Sequence, residues 1–142
     1  MKKIFLYLTI LLISGCASTT ETITVSTGTT PPPVYQQGSQ VVQAIIAANY
    51  QEFAAGANEN GTDAMSADNF MASCKQLEEL YGKAQSFRFL GELQTPLLVN
   101  QLYAISFKRL GANGETIEHE QLLQLIFGQE DGKYKLLGMR FM

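Results

Sequence analysis

Few residues in this 142-residue chain are of a type that does chemistry. It carries two cysteines and one histidine, and its thirteen acidic residues are scattered. A single histidine cannot build a multi-histidine metal site. No HExxH, CxxC, P-loop, GxGxxG or GxSxG pattern occurs, so the sequence offers no motif for the corresponding metal, redox, nucleotide or acyl-transfer chemistry. Neither a catalytic cluster nor a cofactor site is therefore expected. The more telling cysteine is Cys16. Lys2 and Lys3 open the chain, residues 4–13 are apolar apart from Thr9, and Ser14-Gly15 place small side chains directly before the thiol. A positive start, a short apolar run and a small-residue site are the three zones of an export signal. The run is half the length of about 20 residues that a spanning helix needs.

The stretch Leu12-Ile13-Ser14-Gly15-Cys16 resembles the lipobox of bacterial lipoproteins. That resemblance implies removal of residues 1–15 by cleavage between Gly15 and Cys16. It also implies a diacylglycerol thioether on Cys16 and a further acyl chain, palmitate in type, on the new N-terminus. Each buried CH₂ contributes about 0.8 kcal/mol, and two chains already anchor stably, so the implied partner is the lipid bilayer itself. Ala17 follows the cysteine where retained inner-membrane lipoproteins carry Asp, so the resemblance points to the periplasmic side of the outer membrane.

An acylated Cys16 cannot form a disulfide, which leaves Cys74 alone in an oxidising compartment. Its place on the apolar face of a predicted helix argues for burial, with an intermolecular disulfide as the alternative. In the second half of the chain His119 and Gln121 interrupt an otherwise apolar strand face that includes Tyr103 and Phe107. A few polar groups among apolar walls are what a ligand pocket requires. The open rim of a sheet has the same composition. Glu118 and Glu120 alternate to the other face, where Glu118 falls opposite Lys108.

The elements that must position these residues read as follows. Residues 17–40 hold seven Thr, three Ser, three Gln, two Gly and the Pro31-Pro32-Pro33 triplet, with Glu21 the one charge. Such a composition cannot bury enough apolar surface to offset ordering, so residues 16–40 are predicted to be a lipidated, disordered tether, and residues 41–142 a single domain. Ile23 and Val25 alternate with polar residues and offer a short strand as an exception. Residues 39–55 are predicted helical, with Val42, Ile45, Ile46, Asn49 and Phe53 on one face. A second helix is capped by Ser66, stapled by Met65 and Phe70, striped by Phe70, Cys74, Leu77 and Tyr81, and stopped by Gly82. After Gln85 the period falls from 3.6 to 2, and four strands follow at about 87–93, 97–110, 115–127 and 133–142.

Register follows from the apolar phase. Odd positions are apolar in both the second and third of these strands, so paired residue numbers must sum to an even value. A three-residue Ala112-Asn113-Gly114 turn meets this requirement and a two-residue turn does not. It places Phe107 opposite His119, Ile105 opposite Gln121 and Tyr103 opposite Leu123. A four-residue turn, 129–132, is expected before the last strand, with Phe127 opposite Tyr134 and a bulge at Leu137-Gly138.

Two helices followed by a curved four-stranded antiparallel sheet resemble the cystatin-like, or nuclear-transport-factor-2-like, α+β cone. Leu80-Tyr81-Gly82 and the Asp131–Leu136 stretch also resemble pieces of uncharacterised bacterial envelope domains of that kind. Without residues 1–15 the formal charge moves from −3 to −5, and no basic stripe is present, so nucleic acid is not an expected partner. The reading that results is a non-enzymatic envelope lipoprotein whose domain binds an envelope protein or a small apolar ligand. The alternatives are an isomerase- or hydrolase-like cone enzyme, and a structural module that forms a homodimer through its sheet face.

Overall fold

The computed structural model describes residues 24–26, 33–57 and 65–142. Gly15, Cys16 and the expected signal lie outside the described residues. In chain order the elements are β1 (Thr24–Ser26), α1 (Pro33–Ala47), α2 (Tyr50–Ala57), α3 (Ala67–Tyr81), β2 (Lys83–Gln94), β3 (Leu98–Leu110), β4 (Thr116–Glu130) and β5 (Lys133–Phe141). The class is α+β, with helices packed on an antiparallel sheet whose spatial order is β1-β2-β3-β4-β5. This is the architecture that the patterning implies, with one more helix and one more strand than expected.

The extra helix arises in the region read as one helix over 39–55. The helix starts earlier, at Pro33, so residues 33–40 of the expected tether are helical. Proline at the first helical position is pre-set for the helix and loses no hydrogen bond there. Val34, Val41, Val42, Ala44 and Ile45 then bury one face of α1. α1 stops at Ala48, which takes φ 50°. The Asn49 N–H donates to the Ala44 carbonyl (2.9 Å) and the Ala48 N–H to the Ile45 carbonyl (3.2 Å). These are the paired bonds of a Schellman stop, built here on alanine rather than glycine. Asn49, expected on the buried helix face, instead caps α2, its Oδ1 accepting from the Glu52 N–H at 3.3 Å.

α3 starts and ends as the sequence indicates. Ser66 Oγ accepts from the Asn69 N–H (3.2 Å), and Gly82 at φ 91° closes the C-terminus with its N–H on the Glu78 carbonyl (2.8 Å). A side chain at Gly82 would also run into the Lys108 carbonyl of β3. The expected buried stripe is only partly buried. Phe70 is enclosed, Cys74, Leu77 and Tyr81 are half-buried, and Leu80 beside them is exposed.

β3 and β4 pair without interruption from Leu98↔Gly128 to Leu110↔Thr116, through the three-residue turn. Gly111 N–H donates to the Glu115 carbonyl (2.7 Å), and Gly114 holds φ 80°. Lys108 and Glu118 form the cross-strand ion pair at 3.3 Å. The β4–β5 turn differs from expectation. It has two residues, Asp131 (φ 49°) and Gly132 (φ 75°), between the paired Glu130 and Lys133. Positive φ at both positions matches the twist of the flanking strands, which a four-residue turn was not needed to supply. Phe127 therefore sits opposite Leu136, not Tyr134, and Leu137 is the extra residue before Gly138↔Ile126. Along β2 the register also shifts at Gln85 and Leu90. Bulges of this kind bend a strand and raise its twist, and they curve this sheet around the helices. Val99, Tyr103, Ile105, Phe107, Leu123, Leu125, Phe127 and Leu136 form the buried inner face. Arg88 clasps Glu120 on the outer face at 2.9 and 3.2 Å, and that hydrogen bonding holds the Glu120 carboxyl below the usual carboxylate range.

Candidate functional site

Two arrangements on the inner face combine polar and apolar groups in ways that packing alone does not require. The first is a cavity. α3 buries Phe70 near its start and packs Tyr81 on Phe107 and Phe141 of the sheet at its end, while Cys74 and Leu77 between them are only half-buried. A cavity of about 490 Å³ opens between α3, the end of α1 and the upper parts of β2 and β3. Its walls include Ile45, Ile46, Cys74, Leu77, Ile105 and Phe107, with Lys75 and Glu78 on α3 at its border. The volume falls within the 300–1,000 Å³ range of small-molecule pockets, and the lining is mainly apolar. Cys74 lies in this wall, its Sγ 3.8 Å from the Ile45 carbonyl. Burial pushes its thiol pKa up, so the thiol stays protonated and is a weak nucleophile.

The second arrangement is a chain of buried polar side chains beneath α1. Tyr103 OH donates to Gln101 Oε1 (3.0 Å), and Gln101 Nε2 donates to Glu92 Oε2 (2.8 Å). Gln101 and Tyr103 are fully buried and Glu92 almost so. Glu92 Oε1 is buried without a hydrogen-bond partner. Burial pushes the Tyr103 phenol well above its ordinary value. The nearby Ser39 hydroxyl opposes the shift, and Tyr35 and Glu92 add to it. Gly38 of α1 lies directly on the Gln101 and Tyr103 side chains, where a Cβ would collide with both. None of the members of this chain of bonds lines the cavity; Gly38 against it and Ser39 beside Tyr103 place it in the seam between α1 and the sheet.

Of the four residues read as a pocket, Tyr103, Phe107, His119 and Gln121 all lie on the inner face. Phe107 faces His119, and Gln121 faces Ile105, as the register requires. Phe107 forms part of the cavity wall. His119 stacks on Phe107 (centroids 6.0 Å, 19°) and approaches Tyr81 (6.1 Å). Tyr103 is core, packed edge-on against Phe87 and Phe89. His119, Gln121 and Tyr103 do not line the cavity. Its other walls come from α1 and α3, and the signal for them was the α3 stripe itself, in which Cys74 and Leu77 face inward but stay half-buried. Glu92 was missed for a different reason. Alternation from Phe87 and Phe89 sends position 92 outward, and the bulge at Leu90 turns it inward to pair with Gln101.

Among the described residues, no group of three or more His, Cys, Asp or Glu is placed to hold a metal ion, and no helix is long and apolar enough to cross a membrane. No protein-family model matches the chain, and no curated protein matches it. Among solved structures, the chain is similar to a protein from Xanthomonas campestris described as a calcium/calmodulin dependent protein kinase II association domain. The TM-score is 0.42 at 12% identity, over 76% of this chain and 83% of that one.

Proposed function

We propose that the protein is a bacterial envelope lipoprotein, held in the bilayer through acylated Cys16, whose domain binds a small apolar ligand without transforming it. The observation that carries the binding role is the cavity under α3, about 490 Å³ with walls supplied by Ile45, Ile46, Leu77, Ile105 and Phe107. The anchoring role rests on the Leu12–Cys16 pattern and the short apolar run before it. Native mass spectrometry of the intact chain released from membranes tests both parts. The mass is expected to include acyl chains, absent in Cys16→Ala, and a non-covalent small molecule. Ala84 lies in the cavity wall, and Ala84→Trp is expected to displace that molecule. An adduct unaffected by Ala84→Trp, or no adduct at all, would remove the binding role.

A second reading, self-association through the outer sheet face, is favoured by a shallow apolar basin there. Leu90, Leu102 and Met142 surround a polar ladder in which Arg140 Nε donates to Gln124 Oε1 (2.7 Å) and Gln124 Nε2 donates to Asn100 Oδ1 (3.2 Å). Leu102→Lys is then expected to convert a dimer to a monomer in sedimentation, and a wild-type monomer would discard the reading.

A further inference from the structure

We infer that the β2–β3 turn, Thr95-Pro96-Leu97-Leu98, is a second membrane contact that seats the domain on the bilayer surface with the cavity end pointing away from it. This rests on the lipid anchor proposed above. Four observations lead to it.

The first is the polarity of β1. Thr24 pairs with Gln94 and Ser26 with Glu92, so the chain enters β1 at the end of the sheet where the β2–β3 turn lies. Seven residues separate Cys16 from Thr24. Eight Cα steps of at most about 3.6 Å keep Thr24 within roughly 29 Å of the anchored sulfur's own residue. The turn projects beyond Gln94, on the same side.

The second is where exposed apolar residues gather. Leu97 is 78% exposed, and Leu93, Leu98 and Leu137 around it are 38%, 38% and 58% exposed. Leu98 pairs with Gly128, and the Leu137 side chain lies over Gly128, so the turn and the lower corner of the outer face are continuous. At the opposite end Leu80 and Leu110 are exposed too, but they stand among charged neighbours, Glu78 and Glu79 beside the first and Lys108, Arg109 and Glu115 beside the second.

The third is charge. No charged side chain occurs from Leu93 through Phe107. The neighbouring β4–β5 turn carries Glu130, Asp131 and Lys133 and extends past Gly128 at the same end. Those charges belong in the headgroup layer and limit entry to the depth of an interfacial contact, about 5–10 Å.

The fourth is that the turn closes on itself. Thr95 N–H donates to the Leu98 carbonyl (2.8 Å), and the Leu98 N–H donates to Thr95 Oγ1 (3.0 Å). Pro96 has no N–H to satisfy. Backbone groups without water are costly in a lipid environment, and this turn presents few of them. By contrast the cavity begins about 23 Å from the turn, at Ile105, and extends away from it to Lys83 and Ala84 at the far end of β2.

The test uses the full chain, produced in a bacterium with its lipid and reconstituted into vesicles of phosphatidylethanolamine and phosphatidylglycerol that carry a nitroxide-labelled lipid. In a Cys74→Ser background, Leu97→Cys and, separately, Asn113→Cys in the β3–β4 turn are labelled with a polarity-sensitive fluorophore. Lipid quenching and a blue shift at position 97, with neither at position 113, are expected. A label at 97 that the lipid does not quench, on a chain whose intact mass shows acylated Cys16, overturns the turn contact and leaves the anchor standing. A chain without acyl chains overturns both. A label at 97 shielded from lipid and from aqueous quencher alike assigns the turn to a contact with a second copy, and overturns the membrane contact. Leu97→Glu provides the companion measurement: melting should not change, and the domain should become more accessible to protease at the β2–β3 turn in vesicles. Unchanged protection would count against the contact.

Discussion

α1 and α3 are both fifteen-residue helices on the same side of one sheet, and they pack in opposite ways. α1 carries no charged residue, buries Val34, Val41, Val42, Ala44 and Ile45, and brings Gly38 into direct contact with Gln101 and Tyr103. α3 carries Asp68, Lys75, Glu78 and Glu79, buries Phe70 alone, and leaves a cavity beneath its second half. One helix is bound closely enough to hold the sheet's curvature. The other is fixed at its two ends, by Phe70 and by Gly82, and so spans a space. The difference shows how a small domain keeps both a stable core and an open site, by giving the two tasks to separate helices.

This contrast can be broken most severely at the residue that anchors the start of α3. Phe70 packs on Phe53 (4.6 Å) and Tyr50 (5.9 Å). Phe70→Ala is expected to cost about 3–5 kcal/mol in urea unfolding, the usual loss for a buried aromatic, and to release α3 as seen by hydrogen exchange. Next in size is Gly38→Ala, expected to cost about 1–3 kcal/mol because the added methyl overpacks the α1 contact. A Gly38→Ala protein as stable as wild type would mean that α1 is no tighter than α3. Tyr103 sharpens the same point by pH. Its folded-state pKa is raised, so the stability it contributes is complete below the ordinary tyrosine value of about 10 and is lost as pH rises above it. Alkaline unfolding should therefore set in near that pH, and Tyr103→Phe should flatten it while costing about 1–3 kcal/mol at neutral pH for the acceptor left unpaired on Gln101. Cys74→Leu should have the opposite sign, adding about 0.5–1 kcal/mol by filling space under α3, and it should weaken ligand retention. Leu80→Ala, on the exposed side of α3, is expected to fall within about 0.5 kcal/mol of wild type by thermal melting.

What the sequence made legible divides along similar lines. The β3–β4 pairing was readable to the residue, because odd-numbered apolar positions on both strands admitted only a three-residue turn, and the glycine it needs stands at 114. The caps of α3 were readable because Ser66 and Gly82 act locally. The α1–α2 break was not, because alanine at positive φ leaves no compositional trace and the apolar spacing runs straight through it. The start of α1 was hidden by the proline triplet, which signals an extended rod and a helix first turn equally well. Of the candidate site, Phe107 and Cys74 could be placed on the right faces. The cavity depends on how far α3 stands from the sheet, a distance that periodicity does not encode. Glu92 depends on a bulge at Leu90, next to a glycine that marked the irregularity without giving its direction.

The pairing of β1 has a consequence for folding order. Every other neighbouring pair in the sheet joins strands adjacent in sequence, and such local pairings close quickly. β1 must instead wait for partners at 92–94, and it gains only three residue pairs when it arrives. In the unfolded chain that closure spans α1, α2, α3 and most of β2, and its entropic cost is roughly 3–4 kcal/mol. Once α1 is docked, the same closure needs only the few residues between Ser26 and Pro33. β1 is therefore the last strand to join and the first to leave, and it can open while the rest of the sheet stays folded. Backbone amides of residues 92–94 that face β1 should exchange with solvent at the rate of that local opening, well ahead of those in β3 and β4.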